Sequence, residues 1–387
     1  MVSLPYAQLS GFYFFYFALL GALVPYWSLY LKSYGFGAET IGLLMALLHA
    51  TRIVAPNIWG WLADKTGQRL RIVQAGSFVT CVIFVAIFWQ DDALGIAMVM
   101  LGFSFFWNAV LPQFEVITLS HLGEKRDRYS RIRLWGSIGF IVAVLAVGWV
   151  FDWISVRALP IIMLVIMVLI WINSLFVPAP AALPASKEVG DGFLKLLLRP
   201  QVIAFFVICF LVQFSHGAYY TFYSVLMESV GFSRGEIGVL WAIGVVAEVV
   251  IFIYMHTLIQ RFGLRWIMIV SLVLCVVRWL MIGLWPEELA LMVVAQTLHA
   301  ATFGTLHAVG IALVHHYFTD KTHGQGQALF SSFGFGAGGA LGAVVSGYLW
   351  DGLGGSWTFY VSASVVAVAI VLALVWIRPE KVQQNPV

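Results

Sequence analysis

The sequence predicts an all-α integral membrane protein whose twelve transmembrane helices form two pseudo-symmetric six-helix bundles. Three observations carry that expectation: a composition too apolar to cover a water-soluble surface, a succession of apolar runs of bilayer length, and a repeat between the two halves of the chain. Of 387 residues, 61% are hydrophobic and 10% are charged, against roughly 25% charged in a soluble domain. Aromatic residues make up 16% and the mean hydropathy is +0.94, so lipid must face much of the chain. The net charge of +3 says little as a total, because the informative quantity is where the charges fall; no nucleic-acid partner is expected.

A spanning helix needs about 20 residues. The apolar runs place such helices over 9–31, 39–62, 72–89, 94–119, 132–151, 156–178, 201–224, 237–259, 266–285, 289–314, 328–350 and 357–377. Met1 to Ser10 hold no Lys or Arg, and the first run exceeds a signal-peptide core, so it reads as helix 1. Cys81, Cys209 and Cys275 each fall inside an apolar run and read as small core residues.

An even number of spans puts both termini on one side. The loops on that side and the C-terminal tail hold sixteen Lys and Arg, among them Lys65, Arg69, Arg126, Lys187, Lys321 and Lys381, whereas the opposite loops hold Lys32, Arg157 and Arg234. The bias predicts cytoplasmic termini. The Pro- and Ala-rich stretch from Val177 to Leu194 reads as a cytoplasmic linker, which divides the chain into a half over 1–178, a linker over 179–200 and a half over 201–387. YGFGAETIGLLMAL from Tyr34 is matched 196 residues later by VGFSRGEIGVLWAI from Val230, and LWGSIGF from Leu134 is echoed by LFSSFGF from Leu329. Repeats of this kind build proteins whose halves rock about a central site. The glycine-rich run Gly334–Gly347 suits either gating or static close packing.

Charges inside the bilayer are costly and mark function or helix-fastening ion pairs. Arg52, Glu115, Glu248 and Arg278 fall within predicted spans, Arg133 at the start of helix 5, and His49, His216, His299 and His307 add titratable groups. The spacing of Glu115 and Arg133 fits a hairpin bringing helices 4 and 5 together. A guanidinium there grips a carboxylate or vicinal hydroxyls, while the carboxylate orients it or accepts a substrate hydroxyl; the competing reading is a tether without a ligand. In GWLADKTGQR, Asp64, Lys65, Gly67 and Arg69 make a turn whose charges suit a conformational latch. His315, His316 and His323 read as wet surface rather than a metal site. No Walker loop, H-E-x-x-H or G-x-S-x-G occurs, so neither an enzyme nor a cofactor is expected.

At these residues the chain resembles the major facilitator superfamily, in its lactose-permease-like branch, and most closely the 3-phenylpropionic acid permease group. GWLADKTGQR is similar to the superfamily's signature between helices 2 and 3. NAVLPQFEVITLSHLGEKRDRYSRIRLWG, from Asn108 to Gly136, resembles the stretch in which lactose permease binds a galactoside through a Glu and an Arg, which fall on Glu115 and Arg133. Its stacking Trp falls on Phe140. Glu248, Arg278 and His299 look like the Glu, Arg and His that connect sugar binding to proton movement. The group-level likeness rests on HGAYYTFYSVLMESVGFSRGEIGVLWAIGVVAE from His216 and QTLHAATFGTLH from Gln296. Two departures matter: Gln296 replaces a lysine, and Thr302 replaces the proton-carrying Glu, so the proton must ride elsewhere or coupling is lost.

The resemblance implies proton-driven uptake of a small organic solute by alternating access in a bacterial inner membrane, by a monomer without an obligate protein partner. An aromatic carboxylate such as 3-phenylpropionate is the first expectation, its carboxylate on Arg133 or Arg52 and its ring on Tyr16, Phe140 or Tyr219, with His216 also lining the site. A sugar or nucleoside held by Glu115 is the alternative. A non-transporting membrane sensor of the same fold is the alternative of another class. Glu248, Arg278 and His299 are the expected proton-coupling residues.

Overall fold

Helices account for the regular structure of the computed structural model, which describes residues 4–123, 125, 128–179, 192–319 and 322–378. The linker expected over 179–200 falls largely outside the described residues, as do Arg126, Lys187, Lys321 and Lys381 of the charge asymmetry. The first six spans are α1 (Tyr6–Ser33), α2 (Ala38–Thr66), α3 (Arg69–Val85), α4 (Ala93–Leu122), α5 (Tyr129–Phe151) and α6 (Leu159–Leu175). Asp92 starts α4 by accepting from the N–H groups of Leu94 and Gly95 at 2.9 and 3.0 Å, satisfying two of the donors a helix N-terminus leaves open. A 3₁₀ turn, Ala86–Trp89, closes the third span.

After the short helix Phe193–Leu197 comes α7 (Pro200–Ser229). The run Arg234–Leu284 covers 51 residues, more than one crossing needs, and breaks at Gly263, where φ is 73° and ψ 158°. Only glycine enters that region freely, so this residue separates α8 (234–262) from α9 (264–284). The expected loop over 260–265 is therefore mostly helical. The last spans are α10 (Leu289–Tyr317), α11 (His323–Leu353) and α12 (Gly355–Trp376). Among the described residues eleven helices are long and apolar enough to cross a bilayer, and the break at Gly263 divides one of them into two.

Several helices outrun the expected spans: α4 continues to Leu122 and α7 to Ser229. Hydropathy registers only the apolar interval, whereas intrahelical hydrogen bonds persist into the polar interface. Inside α10 and α11 the backbone widens into π-helical turns, Ala300–Thr305 and Phe330–Gly338; nothing in the hydropathy pattern anticipates them. Many large exposed side chains along the helix flanks are aliphatic, such as Val165 and Val368, with a few aromatics such as Phe78 and Phe252 among them, while Trp89, Trp153, Trp285 and Trp357 stand at or beyond helix ends. That distribution fits lipid tails at mid-depth and headgroups at the ends.

The chain forms two compact units, residues 1–186 with 223–242, and residues 187–222 with 243–387. In the first, α1 packs along α5 and α6, and α4 along α2 and α3. A side chain on Gly139 would strike the carbonyl of Phe14, so its absence lets α5 approach the α1 backbone. In the second unit Gly342 of α11 meets the Phe214 carbonyl of α7 in the same way.

The first unit also holds a clamp at the starts and ends of its helices. Arg234 donates to Glu228 Oε1 from Nε and Nη2 at 3.1 and 3.0 Å, and to the Phe151 carbonyl from Nη1 at 3.3 Å. Lys32 Nζ lies 3.1 Å from Glu228 Oε2. The Gly235 N–H is shared by both carboxylate oxygens of Asp152.

Candidate functional site

In the first unit α1, α4 and α5 bring together aromatic rings, one acid and one base. Tyr129, at the start of α5, donates from its hydroxyl to Glu115 Oε1 at 3.3 Å. Tyr13 stands edge-on to the Tyr129 ring at 6.5 Å and donates to Thr118 Oγ1 at 3.3 Å. One turn along α5, the Arg133 guanidinium lies 3.9 Å from the centre of the Phe17 ring and 5.7 Å from that of Tyr13. Gly136 makes room for it: a Cβ there would fall 2.7 Å from Arg133 Nη1 and 2.8 Å from Phe17.

Glu115 and Arg133 are not an ion pair; the four described ion pairs lie elsewhere. The link between α4 and α5 is Tyr129, which leaves the guanidinium on aromatic faces, where it keeps donors for a ligand. Tyr16 stacks on Trp107 at 5.1 Å and 22°, and its hydroxyl sits in the field of Arg52, Glu115 and Arg133. Phe140 is half-buried and makes no ring contact with this group; its carbonyl packs at Gly21.

The second unit holds a denser cluster. Arg278 is 0% exposed. It donates from Nε to the Ala295 carbonyl at 2.9 Å, from Nη1 to Thr302 Oγ1 at 3.1 Å and from Nη2 to Gln296 Oε1 at 3.3 Å. Its guanidinium lies 4.2 Å over Tyr219 and 4.7 Å over Trp279. Tyr219 donates to the same Gln296 oxygen at 2.8 Å. His299 Nε2 is 3.2 Å from Glu248 Oε1, and Phe303 lies flat against the His299 ring at 5.4 Å and 6°. His216 is fully buried, edge-on to Trp279 at 4.9 Å. The residue that removes an acid from the pattern, Thr302, thus serves as an acceptor for the buried guanidinium. A hydroxyl suits that role, since a buried donor without a partner is expensive.

A match to the MFS_1 like family spans residues 6–361 of the chain. The chain belongs to that family. Curated relatives include the "Probable 3-phenylpropionic acid transporter" of Escherichia coli (strain K12), 28% identical over 93% of this chain and 95% of the relative. The "Maltose permease" of Geobacillus stearothermophilus is 25% identical over 94% and 93%. Among solved structures, that of the nucleoside transporter NupG superposes with a TM-score of 0.85 at 18% identity, covering 97% of this chain and 99% of that one. Family membership and fold make the protein a multi-pass, non-enzymatic membrane transporter that moves a small solute by secondary active transport.

The stretch GWLADKTGQR runs from the end of α2 into the start of α3. Gly67 ends α2 with φ at 66°, Arg69 pairs with Asp64 and donates to Gln113 of α4, and Lys65 lies 4.9 Å over Trp61. Among the described residues no group of three or more His, Cys, Asp or Glu stands ready for a metal; His315 and His323 stack ring on ring at 3.8 Å. Sequence reasoning did not select Tyr13, Phe17, Trp107, Tyr129, Trp279 or Phe303. In a chain this rich in aromatics only tertiary contact separates them from core packing.

Proposed function

We propose that this transporter takes up a small hydroxylated solute, a sugar or a nucleoside, together with protons. The observation that carries the reading is Glu115, held by Tyr129 beside, but not paired with, Arg133. A carboxylate so placed accepts hydroxyl hydrogens and repels a second carboxylate, and the adjacent guanidinium supplies donors to the same solute. Tyr16, stacked on Trp107, offers an aromatic face to a sugar or base ring. In the second unit the cation is already committed to Ala295, Thr302 and Gln296, which leaves little there for an anionic ligand. The sequence expectation of an aromatic carboxylate therefore takes second place. One observation still favours it: Arg133 rests on two rings and forms no ion pair among the described residues.

In this reading the halves 1–178 and 201–387 are the bodies that rock, Glu248, Arg278 and His299 couple the proton, Asp64, Lys65, Gly67 and Arg69 latch one conformation, and a monomer works in a bacterial inner membrane with both termini in the cytoplasm. The test is counterflow and gradient-driven uptake in proteoliposomes of radiolabelled uridine, maltose and 3-phenylpropionate, with a protonophore and empty liposomes as controls. Saturable uptake of uridine or maltose, lost with the protonophore, is the expected result. Protein-dependent uptake of 3-phenylpropionate alone would reverse the order of the two readings.

A further inference from the structure

Two histidines of the second unit have their hydrogens placed by their neighbours. His216 Nδ1 lies 2.8 Å from the Val212 carbonyl. A carbonyl only accepts, so Nδ1 carries the hydrogen and Nε2 keeps its lone pair. His299 is set the other way round: its Nε2 faces the Glu248 carboxylate at 3.2 Å, an ion-pair distance without hydrogen-bond alignment, and a hydrogen on that nitrogen suits the carboxylate and leaves the lone pair on Nδ1. Both lone-pair nitrogens are buried without a hydrogen-bond partner among the described residues. The two rings lie 6.4 Å apart, centre to centre, at 52°.

Two buried acceptors near one another lack a donor, and a single proton supplies it. With that proton on His299 Nδ1, the imidazolium donates to Glu248 from Nε2 and towards His216 Nε2 from Nδ1, directly or through one water. With the proton on His216 Nε2, donor and acceptor exchange places. A second proton would set two donors against each other, so the arrangement suits one. Arg278 is unsuited to this work, because guanidinium does not give up its proton and its three nitrogens already donate.

Among the described residues, the charged and titratable groups around the pair are Tyr219 and Tyr220 on α7, Glu248 on α8, Arg278 on α9 and, beyond Phe303, His307 on α10. α11 and α12 contribute apolar rings among the described residues, Phe335 against Phe303 and Phe359 against Trp279. Glu248 carries the negative charge that an imidazolium here would need, and Arg278 one positive charge that is always present. Trp279 and Phe303 hold the two imidazoles in their places.

We infer that His216 and His299 together bind one transported proton, with Glu248 as its counter-charge and not its sole carrier. The inference rests on the proton-coupled reading above and answers what replaces the acid absent at Thr302. Its test is nitrogen-15 magnetic resonance of histidine-labelled, full-length protein in lipid nanodiscs, with the two signals assigned from His216→Phe and His299→Phe. At alkaline pH, His216 should show the Nδ1–H form and His299 the Nε2–H form. On acidification both signals should change at a shared midpoint, and removing the His216 ring should move the His299 midpoint by about one pH unit or more. Separate midpoints, or an unmoved His299 in the variant, would overturn the proposal. If His216→Phe is not monodisperse, His216→Asn gives the same comparison. The measurement needs no transported solute, so a shared midpoint alongside failed proteoliposome uptake would refute the coupled-uptake reading while retaining the pair.

Discussion

Asp152, the residue after α5, receives one of the open N–H groups in the first turn of α8, that of Gly235, on both carboxylate oxygens at 3.0 and 3.2 Å. Arg234 completes the exchange by donating to the Phe151 carbonyl at the end of α5. Each helix end thus satisfies the other's open backbone group, and the carboxylate sits at the favourable end of the α8 dipole. Asp152→Ala removes a cap of about 1 kcal/mol. Faster deuterium exchange over 235–237 is the expected outcome by mass spectrometry, with Asp152→Asn retaining most of the protection.

Tyr129→Phe keeps the ring against Tyr13 and deletes only the hydrogen bond to Glu115. A neutral or charge-assisted bond of this length contributes about 1 kcal/mol. The half-saturation concentration for the transported solute in counterflow should rise roughly two- to tenfold, with protein yield and thermal midpoint unchanged. An unaltered half-saturation constant would separate Glu115 from ligand binding.

Gly136→Ala tests the seat of Arg133. The new methyl would meet both the guanidinium and Phe17 at under 3 Å, which forces the cation off its ring and removes a contact of about 0.5–1 kcal/mol. Solute affinity should fall in the same direction as in Arg133→Gln but less far. Counterflow affinities of the two variants, compared side by side, check this order.

The twelve spans could be read from the sequence because lipid imposes a length and a composition on each of them, and the acids and bases within them stood out for the same reason. Glu248 and His299, 51 positions apart in the chain, are brought to 3.2 Å in agreement with a pattern visible beforehand. Glu115 and Arg133 were equally visible, yet nothing in their spacing foretold that Tyr129 would take the carboxylate while Phe17 took the cation. Phe140, chosen by likeness, has no ring contact with that group among the described residues. Partner choice among thirty phenylalanines depends on helix rotation, which hydropathy does not encode when a helix is apolar on every side.

Thr302→Val should be costly although it preserves shape. It strips one acceptor from a guanidinium that is 0% exposed, and an unmet buried donor costs about 1–3 kcal/mol, more when charged. The thermal midpoint of the purified protein should drop, while Thr302→Ser, which keeps the hydroxyl, should stay near wild type. Equal midpoints for valine and serine would mean that Arg278 finds another acceptor.

The two wide turns in α10 and α11 make the units mechanically unequal. A π-helical turn carries an extra residue per turn, spreads the backbone ladder and is a common point of flexure or register slip. Both such turns among the described residues belong to the second unit, and one of them, Ala300–Thr305, begins at the residue after His299 and contains Thr302. Elastic strain arriving along α10 would gather where the histidine and the arginine's acceptor are carried. A change in helix curvature there would alter hydrogen-bond lengths in the cluster directly, so under the proposed proton coupling bending and protonation would be two descriptions of a single coordinate.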